Sequence, residues 1–339
     1  MSIINRPKSN QQWFLPGILA GMTLTIKKMF LNLFNRKQMP TLNYPEEKYE
    51  YSPRFKGNHV LTVKKDGSLR CTACMLCATA CPADCIEIIA SEHTSPEVEK
   101  YPIRYNIDVL RCVFCGFCEE ACPVDAIRMG PEWQTPGING SKFVYDIEHL
   151  AYRPNLRGGM LSFVDDEEGH NAGIEVQVKK KEAFSDNVQR ALRASGFRPF
   201  FFVTGCCEIE SRIARSSVYD LSRLGVQVAE NPQEADVLVA GGWINLEYEK
   251  KILRIFDLIQ PPKFVIGIGA CAISATPYLT AGNKKVLSDL VPVDVFVSGC
   301  PPHAEAFLEA MLQLKIKISP DPDQRTVLQT AMKTNTVQV

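Results

Sequence analysis

Apolar and polar positions fall into three different rhythms along the chain. Past residue 183, short apolar runs alternate with segments of helical period. Pro199–Thr204, Asp236–Ala240, Lys263–Ile268 and Val293–Val297 read as strands, and Asp186–Ser195, Glu208–Leu224, Leu246–Ile259 and His303–Leu314 as helices. Strands and helices in alternation predict a parallel sheet covered by helices, an α/β domain of flavodoxin-like type over residues 184–320. At the other end, Leu15, Ile18, Leu19, Met22, Ile26, Met29, Phe30 and Leu33 fall on one helical stripe. Between the two lies a stretch of strand-like runs, Cys85–Ile89 among them, interrupted by dense cysteine spacings; it predicts a smaller α+β unit over 46–161.

The N-terminal stripe belongs to a segment with no acidic residue from Met1 to Pro45 and six basic ones: Arg6, Lys8, Lys27, Lys28, Arg36 and Lys37. Its longest nearly uncharged stretch, Gln11–Ile26, is interrupted by Pro16, Gly17 and Gly21 and is shorter than the ~20 residues that span a bilayer. Trp13 and Phe14 suit the headgroup boundary, and Lys27 and Lys28 suit anionic lipid. An interfacial amphipathic helix over 1–45 is the expectation; a helix packed on a partner subunit and a targeting peptide are the alternatives. No other segment is apolar enough to span a bilayer, so a peripheral protein on a lipid surface is expected.

The composition is ordinary except at one residue type. The 339 residues are 45% hydrophobic with a formal net charge of zero, which gives no electrostatic footprint for nucleic acid. Thirteen of them are cysteines, nine lying between Cys71 and Cys122. Repeated two-residue spacings in a chain this long point to metal sites rather than a disulfide framework.

Cys71, Cys74, Cys77 and Cys81, then Pro82, form a C-x2-C-x2-C-x3-C-P run, which recurs as Cys112, Cys115, Cys118 and Cys122, then Pro123. The repeat extends past the cysteines, CPADCIEI against CPVDAIRM. Three thiolates at this spacing wrap three corners of a [4Fe–4S] cubane, and the fourth ligates the other cluster. The expected sets are Cys71, Cys74, Cys77 and Cys122, and Cys81, Cys112, Cys115 and Cys118. Zinc would want cysteine pairs separated by a longer gap. Cys85 is left over and is expected in the core, as a small buried hydrophobe.

The other four cysteines lie just past predicted strand ends: Cys206 and Cys207, Cys271, and Cys300. Open α/β sheets bind ligands at that edge, so four thiols are expected to meet there around a third [4Fe–4S] cluster. Gly205, Gly269 and Gly299 shortly precede them, where a missing Cβ lets backbone approach the cluster. Ligation by only one of Cys206 and Cys207 is the alternative. The run Asp165–Gly173, acidic at its start, and Lys179–Lys181 read as a solvated linker over 162–183, and 321–339 as a tail. No nucleotide fingerprint is visible, since Gly267 and Gly269 lack the rest of the pattern.

These residues resemble two subunits of respiratory complex I joined in one chain. The text from Trp13 to Tyr152 is similar to the two-cluster ferredoxin subunit, through Phe55-Lys56-Gly57-Asn58-His59-Val60-Leu61, CTACMLCATACPADCI, RCVFCGFCEEACPVDAI and Met129-Gly130-Pro131-Glu132. The text from Phe201 to Lys315 resembles the 20 kDa-type subunit holding the terminal cluster, through GCCEIE, Tyr219–Gly225, ADVLVAGG, GACA and SGCPPHAEAFLEAMLQL. The resemblance implies electron transfer through three [4Fe–4S] clusters to quinone, within an NADH-quinone oxidoreductase whose partner subunits translocate ions. It implies a large partner subunit forming the quinone site, a membrane-arm subunit, upstream NADH-oxidising or ferredoxin-docking subunits, and the cytoplasmic face of the inner membrane (the matrix face if mitochondrial). Membrane-bound [NiFe] hydrogenases and formate hydrogenlyase-type complexes share both modules and are the alternative; the adjacent pair Cys206-Cys207 resembles the quinone-reducing branch. The sequence departs from that branch at Ser211-Arg212 and at Ile273–Pro277, both near the acceptor in the family.

Overall fold

The computed structural model describes residues 14–34, 41–151, 196–276 and 285–318, apart from 46, 50, 53, 65–66, 94–99 and 131–135. The expected helix Asp186–Ser195, the linker 162–183, the tail 321–339 and Trp13 lie outside the described residues. The chain divides into two units, Met1–Thr41 and Leu42–Val339.

The first unit holds one helix, α1 (Phe14–Phe34). It runs unbroken through Pro16, Gly17 and Gly21, because a proline in the first turn gives up an N–H that has no helical partner there. The stripe positions Ile18, Leu19, Met22, Ile26, Met29, Phe30 and Leu33 are exposed, and so are Leu24 and Leu31 on the opposite side. Among the described residues no helix is long and apolar enough to cross a membrane.

The second unit opens with the cysteine repeat. Its elements are β1 (His59–Leu61), α2 (Leu76–Thr79), β2 (Ile86–Glu92), β3 (Lys100–Asp108), α3 (Phe117–Glu120), β4 (Ile127–Met129), β5 (Val144–Tyr145) and α4 (Ile147–Ala151). β1 pairs antiparallel with β4, and β2, β3 and β5 form an antiparallel sheet. The repeat is written into the backbone. Ala73 and Phe114, Met75 and Gly116, and Asp84 and Asp125 all have positive φ, the members of each pair 41 residues apart. Non-glycine residues at φ above zero are costly, and five of these six are not glycine; such strain persists where the surrounding structure over-determines it.

The α/β part comprises β6 (Pro199–Val203), α5 (Cys206–Ala214), β7 (Val237–Gly241), α6 (Leu246–Leu258), β8 (Phe264–Ile268), α7 (Ala270–Ser274), β9 (Val295–Val297) and α8 (Ala304–Ile318). The four strands are parallel in the order β6-β7-β8-β9. On the far edge of β6 the segment around Val226 adds a rudimentary parallel strand: Phe197 N–H donates to Gly225 O, and Gln227 N–H to Phe197 O. Alternation along β7 serves two cores. Val237 and Val239 face α8 through Phe307, Leu308 and Met311, whereas Leu238 and Ala240 face α6 through Tyr248 and Ile252.

The sequence predicts one helix over Glu208–Leu224, but α5 stops at Ala214 and a 3₁₀ turn covers Leu221–Leu224. The Ser216 hydroxyl donates back to Ile213 O at 2.7 Å and accepts from Val218 N–H. Such local bonding competes with the helical ladder. Leu42 and Tyr44, within the stretch 1–45 expected as an interfacial segment, belong to the body, and Tyr44 is buried with the α8 side of the sheet.

The two cysteine-bearing parts share backbone. Gly137 and Phe296 exchange both hydrogen bonds at 3.0 and 2.8 Å, adding an antiparallel bridge to β9. Gln313 Nε2 donates to Pro136 O at 2.7 Å. Glu305 of α8, fully buried, accepts from Tyr49 N–H at 2.7 Å and from the Tyr51 hydroxyl at 3.3 Å.

Candidate metal centres

Cys71, Cys74 and Cys77 line one small pocket together with Cys122 of the second run, alongside Tyr105, Ile88 and Leu61. That is the crossed set expected from the spacing. The Cys71 thiol is pushed up to about 11, chiefly by burial, with Cys77, Cys122 and Cys74 adding to it. Ala73 N–H points at Cys71 Sγ (3.4 Å), Ala126 N–H at Cys122 Sγ (3.1 Å), and the Tyr105 hydroxyl lies 3.3 Å from Cys77 Sγ.

Symmetry places the second set. Phe114 N–H points at Cys112 Sγ (3.3 Å), as Ala73 does at Cys71. The buried His59 Nε2 lies 3.7 Å from Cys112 Sγ. Cys81, from the first run, reaches this group through Cys85, whose Sγ stands 3.4 Å from that of Cys81 and which lies near Cys112. Cys115 is half-buried in the same loop, its carbonyl held by Lys56 Nζ. Cys85 is buried in the hydrophobic core as expected, and its thiol also stands against that of Cys81.

The third set follows from register. Val203, Gly241, Ile268 and Val297 are aligned across the sheet, so all four strands end flush. Chain emerging from this edge carries Cys206 and Cys207 at the start of α5, Cys271 in α7, and Cys300 before α8. Cys207 is pushed up to about 12 by burial and by Cys206 and Cys300. The Cys271 and Cys300 thiols lie close enough to perturb each other, Cys271 downward and Cys300 upward. The thiols of the adjacent pair therefore share one neighbourhood with those from two other strand ends, although Cys206 is exposed and Cys207 buried.

Gly269 is required here. Its φ is +84°, and a Cβ on it would stand 2.7 Å from Cys207 Sγ. α7 then touches the second set: the Ser274 hydroxyl is shared between Ala270 O (2.9 Å) and Leu110 O (3.0 Å), two residues before Cys112.

These surroundings fit iron–sulfur clusters. Left-handed residues alternating with right-handed ones turn successive N–H groups inward, the nest that binds anions and Fe–S groups. Amide and hydroxyl donors already face sulfur, which is the outer-shell support a cluster needs. Among the described residues no three ligand-type side chains close on a point fit for a single ion. His59, Tyr105, Ser274 and Cys85 were not foreseen as neighbours of the sites. Only the mismatch of Cys85 with Ala126 in the internal repeat carried a signal, whereas the other three contacts arise from packing.

Known proteins divide along the same line. Residues 70–126 match the family described as 4Fe-4S dicluster domain, and residues 205–314 the family NADH ubiquinone oxidoreductase, 20 Kd subunit. NADH-quinone oxidoreductase subunit I of Bdellovibrio bacteriovorus is 74% identical over 174 residues, 51% of this chain and 100% of that protein. The NADH-quinone oxidoreductase B subunit of Campylobacter fetus is 38% identical over 128 residues, 38% of this chain and 76% of that protein. NAD(P)H-quinone oxidoreductase subunit K 2 of Acaryochloris marina is 35% identical over 136 residues, 40% of this chain and 65% of that protein. With two cysteine-bearing parts that match two different subunits, the chain belongs to the NADH-quinone oxidoreductase family as a fusion of an I-type and a B-type electron-transfer subunit.

Proposed function

We propose that twelve thiols of this chain hold three [4Fe–4S] clusters in series, ending beside a quinone. Cys71, Cys74, Cys77 and Cys122 hold the first; Cys81, Cys112, Cys115 and Cys118 the second; Cys206, Cys207, Cys271 and Cys300 the third. Bound there, such clusters supply one-electron redox stations whose potentials follow from burial and hydrogen bonds to sulfur. The chain's own part is to fix spacing and surroundings. The Ser274–Leu110 bond ties the helix bearing Cys271 to the loop bearing Cys112, and the Gly137–Phe296 bridge ties both parts to one sheet. The observation that carries the reading is the crossed set around one cavity, with Cys122 completing the wall begun by Cys71, Cys74 and Cys77.

The dicluster part runs over 46–161 and the α/β part, flavodoxin-like, over 184–320, joined by 162–183 and followed by the tail 321–339. The acceptor is a quinone held between the α/β part and a large partner subunit. Cys206 is exposed at the sheet edge and Ile209 and Ile213 of α5 are exposed beside it, which supports a partner covering this face. α1 lies on the lipid surface at the cytoplasmic face, or the matrix face in a mitochondrion: its apolar side chains are exposed and its charges are Lys27 and Lys28. NADH oxidation and ion translocation belong to partner subunits.

The test is the purified membrane complex containing this chain, given NADH and a short-chain quinone. Quinone reduction that a Cys300→Ser variant abolishes, with the first two clusters still reduced, is the expected result. Hydrogen evolution without quinone reduction would overturn the choice of acceptor.

A further inference from the structure

The thirteenth cysteine has no place among the twelve ligands, yet it is not isolated. Cys85 is 5% exposed, its Sγ stands 3.4 Å from Cys81 Sγ, and Cys112 lies near it. Cys81 and Cys112 come from different runs and converge only at the second centre. A thiol in contact with Cys81 and near Cys112 therefore lies at the rim of that centre. Ligating cysteines are thiolates, so the one proton in this trio belongs to Cys85.

The internal repeat supplies its own control. Cys85 follows Cys81 by four residues, as Ala126 follows Cys122. At Ala126 the backbone N–H meets the sulfur of Cys122 at 3.1 Å, and the Cys85 N–H lies toward Cys81. The backbone course repeats, with Asp84 and Asp125 both at positive φ, and the difference at this position is a methyl group at one centre and a thiol at the other.

We propose that Cys85 is a positioning residue for electron transfer: its S–H donates into the sulfurs of the second centre and holds that centre's reduction potential above the value alanine would give. A donor aimed at sulfur favours the state carrying the extra electron, because that state is more negative. The thiol stands at the centre nearest the terminal site, since Leu110, two residues before Cys112, accepts from Ser274, three residues after Cys271. Electrons are thereby biased in the forward direction. The inference rests on the ligand assignment above.

The test uses the full chain with its clusters, in four forms: unmodified, Cys85→Ala, Cys85→Ser and Ala126→Cys. Redox-titrated EPR is read alongside iron content. In Cys85→Ala all clusters stay and only the second centre moves to lower potential. The change is a few-fold to about tenfold in the reduction equilibrium, tenfold being about 59 mV for one electron. Cys85→Ser, which keeps a donor, shifts less, and Ala126→Cys moves the first centre upward. Unmoved potentials in all three variants would overturn the proposal and leave Cys85 as packing. Loss of one cluster in both Cys85 variants would overturn it by making Cys85 a ligand. Absence of one dicluster centre from the unmodified chain would instead overturn the ligand assignment, and this proposal with it.

Discussion

Replacing Gly269 by alanine puts the construction of the terminal site under direct strain. The residue sits at φ +84° and ψ 148°, a region essentially confined to glycine, where an L side chain costs about 1–3 kcal/mol. Its new Cβ would stand 2.7 Å from Cys207 Sγ, closer than real Cβ contacts come. Forcing a methyl group into a packed site adds about 1–3 kcal/mol, for about 2–6 kcal/mol in total. The second part is relieved only by moving Cys207, and that movement takes a ligand away from Cys206, Cys271 and Cys300. Gly67 provides the control, because its φ is +81° and nothing lies within 4 Å of its Cβ position. Gly67→Ala is therefore expected to lose only about 1–2 kcal/mol and to keep every cluster. Gly269→Ala is expected to lose the terminal EPR signal and about four irons per chain. A Gly269→Ala protein with full iron and a normal terminal signal would refute the placing of Cys207 Sγ against this backbone.

Further outcomes follow from other contacts. Burial pushes the Glu305 carboxyl up from 4.5 to about 7. A raised carboxyl contributes stability below pH 4.5 that is lost as pH rises through about 7, here about 3 kcal/mol at 1.36 kcal/mol per pH unit. Glu305→Gln should flatten this loss in denaturant titrations at pH 5 and pH 8, and an unchanged slope would refute it. Ser274→Ala removes the bond to Leu110 O at a cost of about 1 kcal/mol, so amide exchange around Arg111 and Cys112 should quicken about fivefold. Tyr105→Phe removes the hydroxyl beside Cys77 and should lower the potential of the first centre while the second stays put, read by redox-titrated EPR.

Much of the architecture was legible because its signals are local. The parallel sheet followed from apolar runs of strand length, and the observed strands fall within a residue or two of those expected. The repeat at 41 residues showed in the cysteines and proved deeper in the backbone, where the positive φ values repeat with the same offset. Less was legible where tertiary contact decides. The helix over Glu208–Leu224 broke because Ser216 bonds its own backbone, which an apolar pattern does not encode. Glu305 and Lys315 are charged residues that are fully buried in α8. Glu305 meets Tyr49 and Tyr51 from a distant part of the chain, and Lys315 Nζ is held by Leu224 O over the Phe197 ring. Burial of Tyr44 beneath α8 was equally invisible, since its neighbours lie some 265 residues away in sequence.

Quantitative iron analysis with EPR of the purified, reduced chain is the measurement closest to the centre of the account. Twelve thiols in three sets predict about twelve irons per chain and three distinct cubane signals, one of them removed by Cys300→Ser. About eight irons and two signals, both untouched by that substitution, would contradict it.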